Sequence, residues 1–232
     1  MGQKKLERFA AIKTFENVLE FPVEMPGKWA DFFGNSNPIT LELACGKGEY
    51  TNGLAALYPD QNFLGIDIKG NRIWRGAKNA LDNGLLNAAF LRTEIEKIDN
   101  YFIKGEVDAI WITFPDPQLQ KFKKRLTHPR YLRKYQQLLK PGGAIHLKTD
   151  SPVLYKFTKD VINLFQLHLL VDLENVYTSV PSIPELNIKT HYEGLNISGS
   201  NQIYYLLFSL PNEILPDLDA KIKALVHDSR FN

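Results

Sequence analysis

Ile39-Thr40-Leu41-Glu42-Leu43-Ala44-Cys45-Gly46-Lys47-Gly48 is a short apolar run that ends in a carboxylate and breaks into Gly-x-Gly. The run reads as a buried strand, the glycines as a tight turn, and the residues from Glu49 on as the start of a helix. In an open α/β sheet, such a turn at the carboxyl end of a strand is where a nucleotide-like ligand sits.

The same strand-then-helix pattern continues along the chain. Glu49 to Leu57 reads as a helix, and Asn62 to Asp67 as a second strand that again ends in a carboxylate. Asn71 to Asn83 is a helix stopped by Gly84. Ala88 to Arg92 is a third strand, with Thr93-Glu94 at the start of another helix. Val107 to Phe114 is a strongly β-prone fourth strand, halted by Pro115-Asp116-Pro117 because proline cannot continue a ladder. Pro129 to Leu139 is a helix, and Pro141-Gly142-Gly143 turns into a fifth strand from Ala144 to Thr149, closed by Asp150. Pro152 suits the first turn of the next helix. Val171 to Tyr177 and Gln202 to Leu210 are the last strands, and residues 217–228 form a closing helix.

Alternation of this kind predicts an α/β fold: a doubly wound, mainly parallel, seven-stranded Rossmann-like sheet with an antiparallel last strand. The main domain is 39–232. Residues 1–38 form an N-terminal helical extension, with Leu6, Phe9, Ile12 and Phe15 at helical spacing and Trp29, Phe32 and Phe33 expected to pack on the core. Thr178 to Ser200 is polar, carries two prolines, and is long enough as a loop to be a functional suspect.

The chain has 232 residues, 44% hydrophobic and 23% charged, which suits one large globular α/β domain. No apolar run approaches the roughly 20 residues of a membrane span. The N-terminus has no apolar stretch of the signal-peptide kind. Cys45 is the one cysteine, which excludes an internal disulfide and fits a reducing compartment, so a cytoplasmic location is expected. The histidines show no metal-like spacing and no metal is expected. His128, His146, His168 and His227 read as structural or surface residues, and Cys45 as a small packing residue.

Net charge is only +2, but its distribution is uneven. Between Asp116 and Asp150 there is no acidic residue, while Lys121, Lys123, Lys124, Arg125, Arg130, Arg133, Lys134, Lys140 and Lys148 all fall there. The interval reads either as a solvated basic helix or as a footprint for a phosphate backbone.

The glycine turn discriminates among ligands. A dinucleotide site needs a third glycine, and Gly46-Lys47-Gly48 is followed by Glu49-Tyr50-Thr51. A P-loop needs Gly-Lys-Ser/Thr. The stretch matches E-x-[GA]-x-G-x-G, the pattern of S-adenosylmethionine-dependent methyltransferases. This cofactor has no phosphate and carries an ammonium and a sulfonium, so it needs a carboxylate such as Glu42 rather than an anion site. Gly46 and Gly48 let the backbone approach its amino-acid tail. Asp67 ends the second strand, where it can accept from both ribose hydroxyls. Glu94 follows the third strand and is expected near the adenine. The bland alternative for Glu42 is a strand carboxylate paired with a lysine. Ala44 stands where glycine is common, which strains the turn if the position needs positive φ.

Over roughly residues 39–208 the chain resembles the bacterial tRNA (guanine-N7) methyltransferases, which modify guanine at position 46 of tRNA. The resemblance rests on Leu41 to Gly48, Phe63-Leu64-Gly65-Ile66-Asp67, Phe114-Pro115-Asp116-Pro117, Lys124-Arg125-Leu126-Thr127, Leu147-Lys148-Thr149-Asp150 and Thr190-His191-Tyr192-Glu193. It implies Glu42, Asp67, Glu94 and Asp116 around S-adenosylmethionine, and Asp150 with Thr190, His191, Tyr192 and Glu193 at the tRNA guanine. The family's substrate-contacting lysine aligns nearest to Lys121, because Gln118-Leu119-Gln120 replace the usual aromatic and basic pair in a shorter run. Asp116 is the expected catalytic carboxylate, with a turn-capping aspartate as the bland alternative. Asp150 has a helix cap as its alternative. Asp150 and Glu193 would accept from guanine's N1–H and amine. tRNA is the expected partner, with no membrane, and the chain acts as a monomer or homodimer. The rival readings are a methyltransferase for another RNA base or a protein, and a catalytically silent tRNA-binding protein on the same fold.

Overall fold

The computed structural model describes residues 3–178, 183–191, 193, 195, 199 and 202–228. Eight strands form one sheet: β1 Val18–Glu20, β2 Ile39–Leu43, β3 Asn62–Asp67, β4 Ala88–Arg92, β5 Val107–Thr113, β6 Leu139–Thr149, β7 His168–Leu173 and β8 Tyr204–Ser209. Their order is β1-β4-β3-β2-β5-β6-β8-β7. The first six are parallel to one another, and β8 runs antiparallel to both β6 and β7. The strand order reverses at β2, beside β5, so the opening stretch lies at the switch point of the sheet.

Side-chain alternation divides the core between the two faces of the sheet. Leu41, Leu43, Leu64, Ile66, Ile110, Ile112, Leu206 and Phe208 join one buried cluster with Trp29, Tyr131, Tyr135, Phe157 and Ile222. These come from α2 (Trp29–Phe33), α5 (Pro129–Leu138), α6 (Pro152–Leu164) and α7 (Asp219–Asp228). Phe63, Phe90, Trp111 and Tyr205 point the other way and meet Tyr50, Leu54, Ile73 and Ala77. Those belong to α3 (Glu49–Leu57) and α4 (Gly70–Asp82). Short parallel strands buried on both faces explain why the segments read as continuous apolar runs.

Four expectations change. The sheet has an eighth strand, β1, which comes from the extension and pairs Val18 with Phe90; three residues are too few to show a period. α1 (Gln3–Ala11) precedes it as expected, and Trp29 is fully buried, with its Nε1 donating to Tyr101 O at 2.8 Å. The segment after Glu94 is a 3₁₀ turn, Ile95–Asn100, rather than an α-helix. β6 starts at Leu139, before Pro141-Gly142-Gly143. The register steps from Val107↔Leu139 to Ala109↔Ala144, so those residues form a bulge within the strand rather than a turn before it, and Gly142 takes φ +77°. β7 lies earlier than Val171–Tyr177 because it is an edge strand with mostly exposed residues, and its apolar pattern is correspondingly weak.

Candidate active site

Glu42, Asp67 and Glu94 lie at or just past the carboxyl ends of β2, β3 and β4; Asp116 and Asp150 follow β5 and β6. The parallel strands thus deliver five carboxylates, dispersed in sequence, to one edge of the sheet.

The glycine turn is built from backbone and carboxylate together. Ala44, Gly46 and Gly48 all have positive φ, at +58°, +57° and +68°. Ala44 therefore does occupy a left-handed position. Asp67 Oδ2 accepts from Gly46 N–H at 3.0 Å and its Oδ1 accepts from Lys69 N–H at 2.8 Å, so one carboxylate pins the turns after β2 and β3. A Cβ on Gly46 would meet only Ala44 O, at 3.9 Å, which leaves space beside the backbone there.

Glu42 is 3% exposed and pairs with no lysine among the described residues. Its Oε2 accepts from Thr51 N–H at 2.8 Å and from the Thr51 hydroxyl, and its Oε1 accepts from the Thr113 hydroxyl. Thr51 is the third residue of α3, so Glu42 satisfies an otherwise unpaired N–H at the positive end of that helix. Burial pushes the carboxyl up to about 7, against the lowering effect of the Thr113 and Thr51 hydrogen bonds. Below its ordinary value near 4.5 the group is protonated in both folded and unfolded chains. Between that value and about 7 the folded chain holds a proton that the unfolded chain has lost, so stability falls as pH rises through this window. The stability of the wild type relative to Glu42→Gln is expected to drop by about 3 kcal/mol from about pH 5 to about pH 8, measured by denaturant unfolding. A difference that stays flat with pH would contradict it.

The acceptor side differs more from expectation. Asp116 is exposed, and its Oδ1 accepts from Gln118 N–H at 2.9 Å. Phe114 before it has φ +44°. Asp150 is half-buried, and the helix-cap role belongs to its neighbour: Ser151 Oγ accepts from Leu154 N–H at 3.2 Å. Thr190 N–H donates to Glu193 Oε2 at 3.3 Å, and the buried Thr190 Oγ1 has no hydrogen-bond partner among the described residues. His191 is exposed, and Tyr192 lies outside the described residues. Glu193 Oε2 accepts from Lys148 Nζ at 3.0 Å and its Oε1 from the Tyr177 hydroxyl. Glu94 is exposed and pairs with Lys97 at 2.6 Å.

The basic interval is mostly committed inside the protein. Lys123 faces Asp219, Lys134 faces Asp99 and Lys140 faces Asp108. Arg133 donates to Leu215 O at 2.8 Å. Arg125 is 3% exposed, lies over Phe157 and donates to Pro117 O at 3.0 Å, bracing the turn that carries Asp116. The acid-free stretch of sequence therefore meets acids from other segments once folded. Lys121, Lys124 and Arg130 stay exposed and make no ion pair among the described residues, so the phosphate footprint is narrower than the sequence suggested.

His128 and His146 are structural. His128 Nδ1 caps α5 by accepting from Arg130 N–H at 3.2 Å, and burial pushes the ring down to about 4. His146 stacks on Trp111 with centroids 4.0 Å apart. His168 begins the edge strand β7, and the side chain of His227 lies outside the described residues. Burial raises the Cys45 thiol, which makes it inert.

A family model described as "Putative methyltransferase" matches residues 36–206. A tRNA (guanine-N(7)-)-methyltransferase of Bacteroides thetaiotaomicron is 45% identical over 96% of this chain and 92% of its own length. The enzyme of that name from Porphyromonas gingivalis is 46% identical over 86% of each chain. The chain belongs to the tRNA (guanine-N(7)-)-methyltransferase family. Among solved structures, the 16S rRNA methyltransferase KamB aligns with a TM-score of 0.62 at 14% identity, over 86% of this chain and 99% of that one. The aminoglycoside resistance methyltransferase NpmB1 aligns at 0.57 with 19% identity, over 82% and 94%. These two likenesses speak to the fold, which is Rossmann-like as expected.

For a member of this family, the residue most plainly missed in the sequence is Lys148. It stands in the Leu147-Lys148-Thr149-Asp150 motif but was grouped with the surface basic run. Its signal was periodicity: Lys148 shares the strand face of His146, which stacks on the buried Trp111. A lysine at a core-facing strand position calls for partners. Thr51 and Thr113, the partners of Glu42, carried no signal in one dimension, being 62 residues apart (113 − 51).

Proposed function

We propose that this protein transfers a methyl group from S-adenosylmethionine to N7 of guanine at position 46 of tRNA. The observation that carries the reading is the edge where Gly46 is open beside a buried carboxylate, with Asp116 and Asp150 on the next two strands. The donor residues suit the cofactor's chemistry: space along the Gly46 backbone for an amino-acid tail, with carboxyl oxygens of Glu42 and Asp67 beside it.

S-adenosylmethionine supplies an electrophilic methyl group on a sulfonium. Gly46 leaves the turn open for its amino-acid portion, and Gly48 serves it by letting the backbone pack closely against Phe90 and Gly76 behind the turn; Asp67, with lone pairs beyond those given to Gly46 and Lys69, accepts from ribose hydroxyls. Glu94 lies toward the adenine. Guanine N7 already presents an in-plane lone pair, so no residue must remove a proton before transfer. Asp116 stabilises the positive charge that develops on the purine. Asp150 and Glu193 accept from N1–H and the exocyclic amine, which adenine cannot match; Thr190 Oγ1 gains a partner, and His191 and Tyr192 line the base. Lys121 contacts the tRNA backbone. Reaching N7 in folded tRNA requires drawing the base from its stack, which costs a few kcal/mol.

The test incubates the protein with methyl-labelled S-adenosylmethionine and bulk tRNA, followed by borohydride reduction and aniline cleavage. Label in tRNA with strand scission at position 46 is expected. Scission elsewhere would move the acceptor; absence of label would reject the reading in favour of a silent binder.

A further inference from the structure

The connection between β7 and β8 is tied at several points to the elements that carry the donor turn. Lys148, with no side-chain exposure, donates from Nζ to Leu186 O at 2.9 Å, Ile188 O at 3.0 Å and Glu193 Oε2 at 3.0 Å. Its three N–H groups are thereby used, and its ammonium also lies 5.5 Å from the Tyr50 ring centroid and 5.7 Å from that of Phe114. On the other side, the Tyr50 hydroxyl donates to Glu185 O at 2.6 Å and the Tyr58 hydroxyl to Glu185 Oε1 at 2.7 Å. Gly53 of α3 lies so close to Ile188 that a Cβ would come within 2.7 Å of it.

We infer that Lys148 is a positioning residue for methyl transfer, a clasp that sets residues 183–191 and Glu193 against the ends of β5 and β6. This rests on the reading of Thr190 to Glu193 as the acceptor side. Burying an ammonium and a carboxylate adds little stability compared with apolar side chains of the same volume, because both must be desolvated. An apolar side chain could not hold two carbonyls and a carboxylate in fixed directions. Lys148 is also two residues before Asp150 and pairs directly with Thr113 across β5 and β6. The same ammonium therefore references the segment to the strand ends that present both Asp116 and Asp150. Burial lowers the tendency of Lys148 to hold its proton, and Glu193 opposes this.

The test is Lys148→Met, which keeps length and loses charge. For tRNA, kcat/KM is expected to fall about 100-fold, the scale of a small misplacement at a reacting centre. The Kd for S-adenosylmethionine is expected to stay within about threefold, and backbone amide exchange to accelerate in residues 183–191 but not in β2 or β3. Lys148→Arg, which restores charge and donors, is expected to recover about tenfold over the Met variant. Tyr50→Phe removes a different tie and is expected to lower kcat/KM for tRNA about fivefold through its hydrogen bond to Glu185. tRNA kinetics within about threefold of wild type in Lys148→Met would overturn the inference. So would equal losses for both substrates with exchange raised throughout the sheet, which marks a stability role. If the Met variant does not fold, Lys148→Arg and Tyr50→Phe decide: unchanged exchange in residues 183–191 and unchanged tRNA kinetics in both overturn it. A wild type that labels no tRNA rejects the functional reading instead, and the exchange comparison then judges the clasp alone.

Discussion

Asp116→Asn is expected to abolish measurable methyl transfer to tRNA while the fold survives. Asp116 is exposed and outside the core, and its Oδ1 accepts one local hydrogen bond, from Gln118 N–H. Asparagine keeps that oxygen, so the Pro115–Pro117 turn should persist, braced from below by Arg125 on Pro117 O. On the proposed reading, what is lost is negative charge beside a purine that becomes cationic during transfer. Removing one well-placed electrostatic stabiliser typically costs about 10²- to 10³-fold in kcat. The measurement is single-turnover label transfer to tRNA alongside a thermal melt. A melt unchanged from wild type with turnover also unchanged would leave Asp116 as the turn-capping residue its local hydrogen bond already makes it.

Gly48→Ala is expected to damage the fold itself. Gly48 has φ +68°, and a Cβ there would lie 2.5 Å from Phe90 Cε1 and 3.1 Å from Gly76 Cα. The left-handed backbone alone costs an alanine about 1–2 kcal/mol. Forcing a methyl into a filled space adds about 1–3 kcal/mol. Against a typical total stability of about 5–15 kcal/mol, the sum is a large loss. Phe90 is fully buried in the middle of β4, so relief by its movement would disturb the sheet. Gly46→Ala provides the contrast. Its φ is +57°, but nothing lies closer than Ala44 O at 3.9 Å, so the expected cost in stability is only the backbone term of about 1–2 kcal/mol. Its methyl would occupy the open side of the turn, and its main effect should fall on S-adenosylmethionine affinity. Denaturant midpoints and calorimetric binding separate the two. Equal midpoints for Gly48→Ala and wild type would show that the turn can shift at no cost.

These two glycines mark how far one-dimensional reading reaches. Both were legible as turn residues, but only the packing of Phe90 and Gly76 shows that one supports the fold and the other leaves room for a ligand. Glu42 was legible as a carboxylate ahead of the turn. That it is held by Thr51 and Thr113 rather than by a lysine follows from α3 folding back over β2 and from β5 pairing beside it. The basic interval shows the opposite error. Its lack of acids held along the chain and failed in space, where Asp99, Asp108 and Asp219 arrive from elsewhere.

By itself the sequence determined the strand-helix alternation, the turn after β2 and the set of carboxylates at strand ends. These are local properties: hydrophobic period, proline and glycine punctuation, and the residue that follows an apolar run. The tertiary structure alone decided the eighth strand, the burial of Arg125, and the union of Lys148 with Glu193 across 45 residues of chain. A lysine's environment is set by which segments desolvate it, and those segments meet only once the sheet has closed β6 against β8.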